Sequence, residues 1–547
     1  MLSSPHSQLA IALNLSDVSN EEELSVAIVA LLTSVRDDET RVPLSKIAHE
    51  IAQGGGASLL EPLDVLPILL PLRDPAAKEV LALMGECSSA KEVVMAIQEA
   101  IERMRAAYEG EDEDEVGRGD QWTLSYPSQL TILVELYSAC LPRLKPRRKT
   151  ASETLRPLLL ELESAIRLAG ARSSREEGRA LISAVSHLIY NSKAWAESAA
   201  EGVADEMTAC KDMLRSSLDC AVVACEHCVN SSLAQRTFES FFPRLTIRSA
   251  VTAGWEGGEE AISDAINAYT SLGVSSTAVL STPSTATMII FAHSAANTLR
   301  ASQLPKVMAI LVASIKAGSA LDEALTLLLH ALDPRQAASR TYLSDEVIHP
   351  LFAVLPPLAS SHPDPLIRHQ AFRLLSTLLS TCPPPIRLQL LSQLTVDPDF
   401  PQMRVAAVGL VKEAVLEALA HPPNLFASPR FFDVFGPIIF RPNPPDPQNL
   451  QLGEFKESSE AARMIESLGT YYTILQRDTA NLTHMRNLDA VKHVETTLIT
   501  PLRLAIERWA NSPDGRPNDD NYVVGSLQMS LELIDSAIAT IKDKSRG

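Results

Sequence analysis

Leu527, Leu531, Ile534, Ile538 and Ile541 recur at spacings of four, three, four and three. On an α-helix these positions form one continuous apolar stripe. The same period runs through Ala461, Ile465, Leu468, Tyr472 and Leu475, and again through 306–316, 321–332 and 366–380. The alternating period of strands appears nowhere with comparable length. Aromatic residues are 5% of the chain and glycine is 22 of 547, which leaves few of the residues that strands and tight turns prefer. The 46% apolar content is enough to bury a large core. The periodicity predicts an all-α chain of many helices, each about 10–20 residues long, with Tyr472 and Leu475 in the core. Helices should stop ahead of Pro334, Pro363, Pro383 and Pro401, because proline removes a donor and restricts the residue before it.

A repeat gives these helices an order. Asp364-Pro365 is followed by Arg368, Ala371, Leu374 and Leu375, while Phe400-Pro401 is followed by Arg404, Ala407, Leu410 and Val411. In both, proline opens the helix, where its missing N–H costs nothing. One such helix pair cannot bury its apolar face alone, but stacked neighbours can, which predicts a HEAT/armadillo-like helical repeat solenoid. Breaks in the pattern divide the chain. Residues 1–108 read as N-terminal repeats and 109–120 as an acidic, disordered, solvated loop, since six of the seven positions 109–115 are acids. Residues 121–440 read as central repeats, 441–457 as a proline-rich connector and 458–547 as a C-terminal helical unit. Arg143 to Lys149 reads as a solvated basic linker.

Charge narrows the class of partner. With 48 Lys and Arg against 67 Asp and Glu the net charge is −19, a field that opposes non-specific attraction to nucleic acid or anionic lipid. No apolar run approaches the roughly 18 residues of a membrane-spanning helix, so neither a nucleic acid nor a membrane is an expected partner. Residues Met1 to His6 lack the pattern of a secretory signal. Seven cysteines are the sparse usage of a reducing compartment, so a cytoplasmic, and also nuclear, location is expected.

Cys220, Cys225, His227 and Cys228 have the look of a metal or redox motif. The segment contains no glycine or proline and reads as continuous helix, on which Cys220 and Cys225 stand about 140° apart. Buried structural cysteines are the favoured reading, with Cys225 and Cys228, one turn apart, as the only candidate redox pair. The phosphate loop, the zinc helix and the nucleophile elbow are all missing. No enzyme activity, cofactor or metal is expected.

The most distinctive stretch lies between about 458 and 509. Tyr471-Tyr472 precede Arg477-Asp478, then come Asn481, Thr483, Val494-Glu495 and Pro501-Leu502. This resembles the C-terminal signature of the glomulin family, which groups animal glomulin, the plant aberrant lateral root formation proteins and the fungal YAP-binding proteins. In that family an Arg/Lys-Asp pair ends a helix, an Asn-x-Thr-Gly-like loop follows, and an Ile-Glu and a Pro-Leu lie on the next helix. His484 stands here where the pattern has glycine. The resemblance implies a non-enzymatic, curved HEAT-like solenoid that acts by occupying a partner surface. It implies as partner the RING subunit of a cullin–RING ubiquitin ligase, whose recruitment of the ubiquitin-conjugating enzyme glomulin masks. The fungal members instead imply a stress-response bZIP transcription factor in oxidative-stress signalling, and one is linked to kinetochores. Arg477, Asp478, Asn481 and Thr483 are the implied contact residues. The alternatives are a redox-responsive thiol protein and a generic HEAT-type scaffold.

Overall fold

The computed structural model describes residues 4–15, 18–36, 42–110, 123–145, 149–200, 202–245, 249–295, 299–333, 342–510 and 522–544. The chain forms two compact units, the first Met1–Leu299 with Lys306–His330, the second Arg300–Pro305 with Ala331–Gly547. Both are built from helices. Among the described residues there is no sheet, and the extended contact between Leu72 and Thr123 is an isolated bridge.

The first unit opens with α1 (Ser4–Ala12), α2 (Glu21–Arg36), α3 (Leu44–Gln53), α4 (Pro62–Leu69) and α5 (Pro75–Cys87). It continues through α6 (Ala90–Gly110), α7 (Tyr126–Cys140), α8 (Ala151–Gly170), α9 (Arg175–Ala199) and α10 (Ala204–Ala224). Next come α11 (Glu226–Val229), α12 (Leu233–Phe241), α13 (Glu256–Ser271) and α14 (Thr285–His293), followed by α15 (Leu304–Ala317) and α16 (Leu321–Ala331). Their packing follows a rule. Helices α2 to α8 each pack on the second helix after them, α2 on α4, α3 on α5, and so on to α8 on α10, and α9 then takes α13. Two layers result, one of α4, α6, α8 and α10, the other of α5, α7, α9 and α13. This is the all-α helical-repeat architecture that the stripes predict, each helix closing the apolar face its predecessor leaves open.

In the second unit are α17 (Asp345–Ser361), α18 (Pro365–Ser380), α19 (Pro384–Val396), α20 (Pro401–Ala420) and α21 (Arg430–Ile439). After them come α22 (Leu452–Glu457), α23 (Ser459–Arg477), α24 (Leu488–Val494), α25 (Thr500–Ala510) and α26 (Tyr522–Lys544). The repeated proline motif opens α18 and α20 as expected, and Asp364 caps α18 by accepting from the Leu366 amide at 2.8 Å. Leu527, Leu531, Ile534, Ile538 and Ile541 are all buried, on the face of α26 that packs against α23.

Several expectations need correction. Helices stop ahead of Pro363, Pro383 and Pro401 as expected, and Pro334 lies outside the described residues, but proline is not always a stop, since Pro350, Pro356 and Pro357 lie inside α17. On α23 the core tyrosine is Tyr471, while Tyr472 and Ile465 are half-buried. That helix is covered from several sides, by α20, α22 and α26, so its buried face is wider than one stripe and is centred elsewhere. The run 441–457 is not a connector between bodies but part of the second unit, with Pro447, Leu452 and Phe455 buried. Arg143, Lys145 and Lys149 are exposed as expected and 146–148 lie outside the described residues, but the Arg143 guanidinium also donates to the Ser88 carbonyl at 2.8 Å and to that of Gly85, closing the end of α5. Helix α6 continues through Gly110, so 109–110 belong to it, and the rest of the acidic stretch 109–120 lies outside the described residues.

Candidate functional site

Helix α23 ends where the Asp478 amide donates back to Ile474 at 2.9 Å. The Asp478 carboxylate then folds inward and accepts three bonds, from the Leu482 amide (2.8 Å), the Thr483 amide (2.8 Å) and the Thr483 hydroxyl (2.6 Å). This is the turn chemistry for which aspartate is suited, an acceptor-only group taking the orphan donors of its own loop. Asn481 takes a positive φ of 54°, accepts from the Arg486 amide at 3.1 Å and donates to Asn487 Oδ1 at 2.7 Å. Arg486 also donates to the Asp478 and Thr479 carbonyls, both at 3.2 Å. The loop is therefore a closed polar knot.

This geometry separates the four residues the sequence singled out. Asp478 is 1% exposed and Thr483 0%. They hold the loop together and cannot themselves touch a partner, which corrects the expectation that all four are contacts. Asn481 is half-buried and bonded on both sides. Arg477 is exposed at the rim, together with His484 and Leu488. His484 has φ 60°, the left-handed conformation that glycine tolerates best, which explains why the family pattern carries glycine there. His484→Gly should raise the melting temperature by an amount equivalent to about 0.5–1 kcal/mol, read by thermal denaturation. A loss of stability would show that the imidazole makes a contact the backbone argument omits.

Two further features of the second unit escape a motif search. Glu460 and Arg463 form an ion pair buried inside the second unit, with Nε and a terminal nitrogen of Arg463 donating to the carboxylate at 2.7 and 2.6 Å. The same guanidinium donates to the carbonyls of Ile438 (3.0 Å) and Arg441 (2.7 Å), and the Asn443 amide donates to Glu460 at 2.7 Å. The pair thus pins the proline-rich run onto α23. Its sequence signal was the i, i+3 spacing. The second feature is one wide turn at Glu495–Ile499 between α24 and α25, just ahead of Pro501, whose ring does not fit a regular turn. It leaves Val494 and Leu502 fully buried.

Helix α26 shows a second apolar row, opposite its buried one. Tyr522, Met529 and Leu533 are 75%, 61% and 42% exposed, and at 100° per residue they share one face. Arg503 of α25 pairs with Asp535 and so ties α25 to this helix.

Residues 275–519 match the model of a family described as the uncharacterised protein family YAP/Alf4/glomulin. Over these residues the chain is similar to the YAP/Alf4/glomulin family. The match contains the whole Arg477–Leu502 segment, so the loop just described lies inside the matched region. No curated protein matches the chain.

Cys220, Cys225, His227 and Cys228 lie in the first unit. The helix is not continuous through them, since it breaks at Cys225, between α10 and α11. Cys225 and Cys228 are both buried, and burial pushes the Cys225 thiol up to about 12 and that of Cys228 upward as well. Sensor thiols are exposed and low in pKa, so this environment disfavours the redox pair. Among the described residues no group of His, Cys, Asp and Glu is arranged to hold a metal ion, and no helix is long and apolar enough to cross a membrane.

Proposed function

We propose that the chain is a non-catalytic protein-binding member of the YAP/Alf4/glomulin family that regulates a partner by covering part of its surface with the second unit. The observation that carries this reading is the exposed row Tyr522, Met529 and Leu533 on a helix whose opposite face is already buried. Apolar side chains in a row on one helix face mark an interaction surface more often than scattered ones do. Family likeness supports a protein partner, and the candidates are the RING subunit of a cullin–RING ligase and a stress-response bZIP transcription factor, met in the cytoplasm or nucleus. Arg477, exposed at the end of α23, offers a charged contact.

Purified RING subunit and purified bZIP factor are the two probes. The double change Met529→Asp and Leu533→Asp should weaken capture of the true partner at least about tenfold, the scale of losing buried apolar anchors. The melting temperature should hardly move, because neither side chain is in the core. Unchanged capture by a folded double variant would remove this face from the site. If neither probe binds the unaltered chain, both partner assignments fail.

A further inference from the structure

Acidity is unevenly shared between the units. Of the 48 Lys and Arg and 67 Asp and Glu, the first unit holds 27 and 43 and the second 21 and 24. The field that attracts basic partners therefore comes almost wholly from the first unit, while the Arg477–Leu502 segment belongs to the second.

That unit also contains a polar groove with an exposed aromatic ring. A groove of about 600 Å³ runs between α9 and α13, in the layer of α5, α7, α9 and α13. From α9 it is lined by His187, Tyr190 and Lys193, and from α13 by Asp264, Asn267 and Ser271. His187 and Tyr190 are three residues apart, as are Asp264 and Asn267, so each pair occupies one helix face. Tyr190 is 60% exposed, an unusual position for so large a ring unless something covers it. The Asp264 carboxylate meets His187 at only 3.8 Å, the outer limit of an ion pair. Lys193 is drawn along its own helix to Glu197, also at 3.8 Å, and Lys211 reaches the same carboxylate.

We propose that this groove binds an arginine-bearing segment of a basic protein partner, its guanidinium stacked on the Tyr190 ring and paired with the Asp264 carboxylate. Arginine fits better than lysine. Its flat cation stacks on an aromatic face, its fork matches a carboxylate, and it sheds water at less cost than an ammonium. Asn267 and Ser271 then stand one and two turns along α13, where an amide and a hydroxyl can bond the backbone of an extended segment. This site lies in the first unit and does not rest on the reading of the second.

The test uses the full chain and a fluorescein-labelled nine-residue peptide alternating arginine and serine, with anisotropy as the readout. The control peptide has citrulline, the same shape without charge, at every arginine. Asp264→Asn should weaken binding of the arginine peptide about tenfold and Tyr190→Ala about fivefold. Glu99→Gln, an equal loss of charge on α6 in the other layer, should change it less than about twofold, the long-range share of one screened charge. Circular dichroism establishes that each variant is folded. Equal losses in Asp264→Asn and Glu99→Gln would reduce the effect to a general field and overturn the site. So would equal binding of the citrulline peptide, a lysine peptide that binds as tightly as the arginine one, or the absence of saturable binding.

Discussion

Replacing His293 by glutamine should cost about 3–5 kcal/mol, the range for breaking a buried charge pair by removing one partner. His293 is buried at the end of α14 between two carboxylates of the first unit. Its Nδ1 meets Glu259 of α13 and its Nε2 meets Glu323 of α16, each at 3.2 Å. Glu259 keeps a second partner, the Arg236 guanidinium, which also lies 3.9 Å over the Trp255 ring. Glu323 is nearly fully buried, and no other partner for it is seen among the described residues. Beside it Asp322 accepts from the Leu233 and Ala234 amides at 2.7 and 2.8 Å, so α16 caps α12. Without His293 the carboxylates of Glu323, Asp322 and the nearby Glu226 crowd one another with no cation among them.

The same network fixes a pH dependence. Burial alone would depress the His293 pKa, but bonding to Glu259 and Glu323 more than offsets it and raises the value from 6.5 to about 9. The folded state therefore holds this proton more tightly than the unfolded chain does. Its contribution is complete below about pH 6.5 and is lost as pH rises through 9, on the order of 3 kcal/mol in total. Asp322, raised to about 6 mainly by burial, acts in the same sense over the more acidic window between 3.8 and 6. Urea midpoints at pH 6.5 and pH 9 should fall for the unaltered chain and fall much less for His293→Gln. Parallel slopes in the two proteins would place the titrating group elsewhere.

Most of the fold was legible because helices advertise themselves locally. The stripe on α26 and the prolines that open α18 and α20 need only the neighbouring residues to be read. The candidate loop was half legible. Turn chemistry marked Asp478, Asn481 and Thr483, but whether a polar side chain faces inward or outward depends on what the loop folds against. Tyr471 and Tyr472 differ by one position, and only the helices packed around α23 choose between them. The His293 network had no sequence signal, since its carboxylates lie 34 residues before and 30 after the histidine and meet only through helix packing. Helix breaks without glycine or proline, such as that at Cys225, are likewise imposed by the surface the chain meets.

Gly258→Ala should destabilise the first unit by about 3 kcal/mol, the upper part of the range for overpacking a core, and it tests the meaning of that cysteine segment. Gly257 and Gly258 are in the first turn of α13. A Cβ on Gly258 would fall 2.9 Å from the Val229 carbonyl carbon and closer still to its oxygen, so backbone would have to move. The same carbonyls are gathered by Arg179 of α9, which donates to Cys228 (2.9 Å), Val229 (2.7 Å) and Gly254 (2.8 Å). Across the junction, a Cβ on Gly178 would lie 2.6 Å from that of Cys228, and one on Gly170 would lie 2.6 Å from the Ala224 carbonyl oxygen. Three glycines thus let α8, α9 and α13 close on the break between α10 and α11, and the cysteines there are small packing groups rather than ligands. Gly409, within α20, has nothing within 4 Å of its Cβ position, so Gly409→Ala should stabilise by up to about 1 kcal/mol through helix propensity alone. Denaturant midpoints of the two variants should therefore move in opposite directions. If Gly258→Ala leaves stability unchanged, the approach of α13 to Val229 is looser than this geometry, and the packing account of Cys225 and Cys228 loses its support.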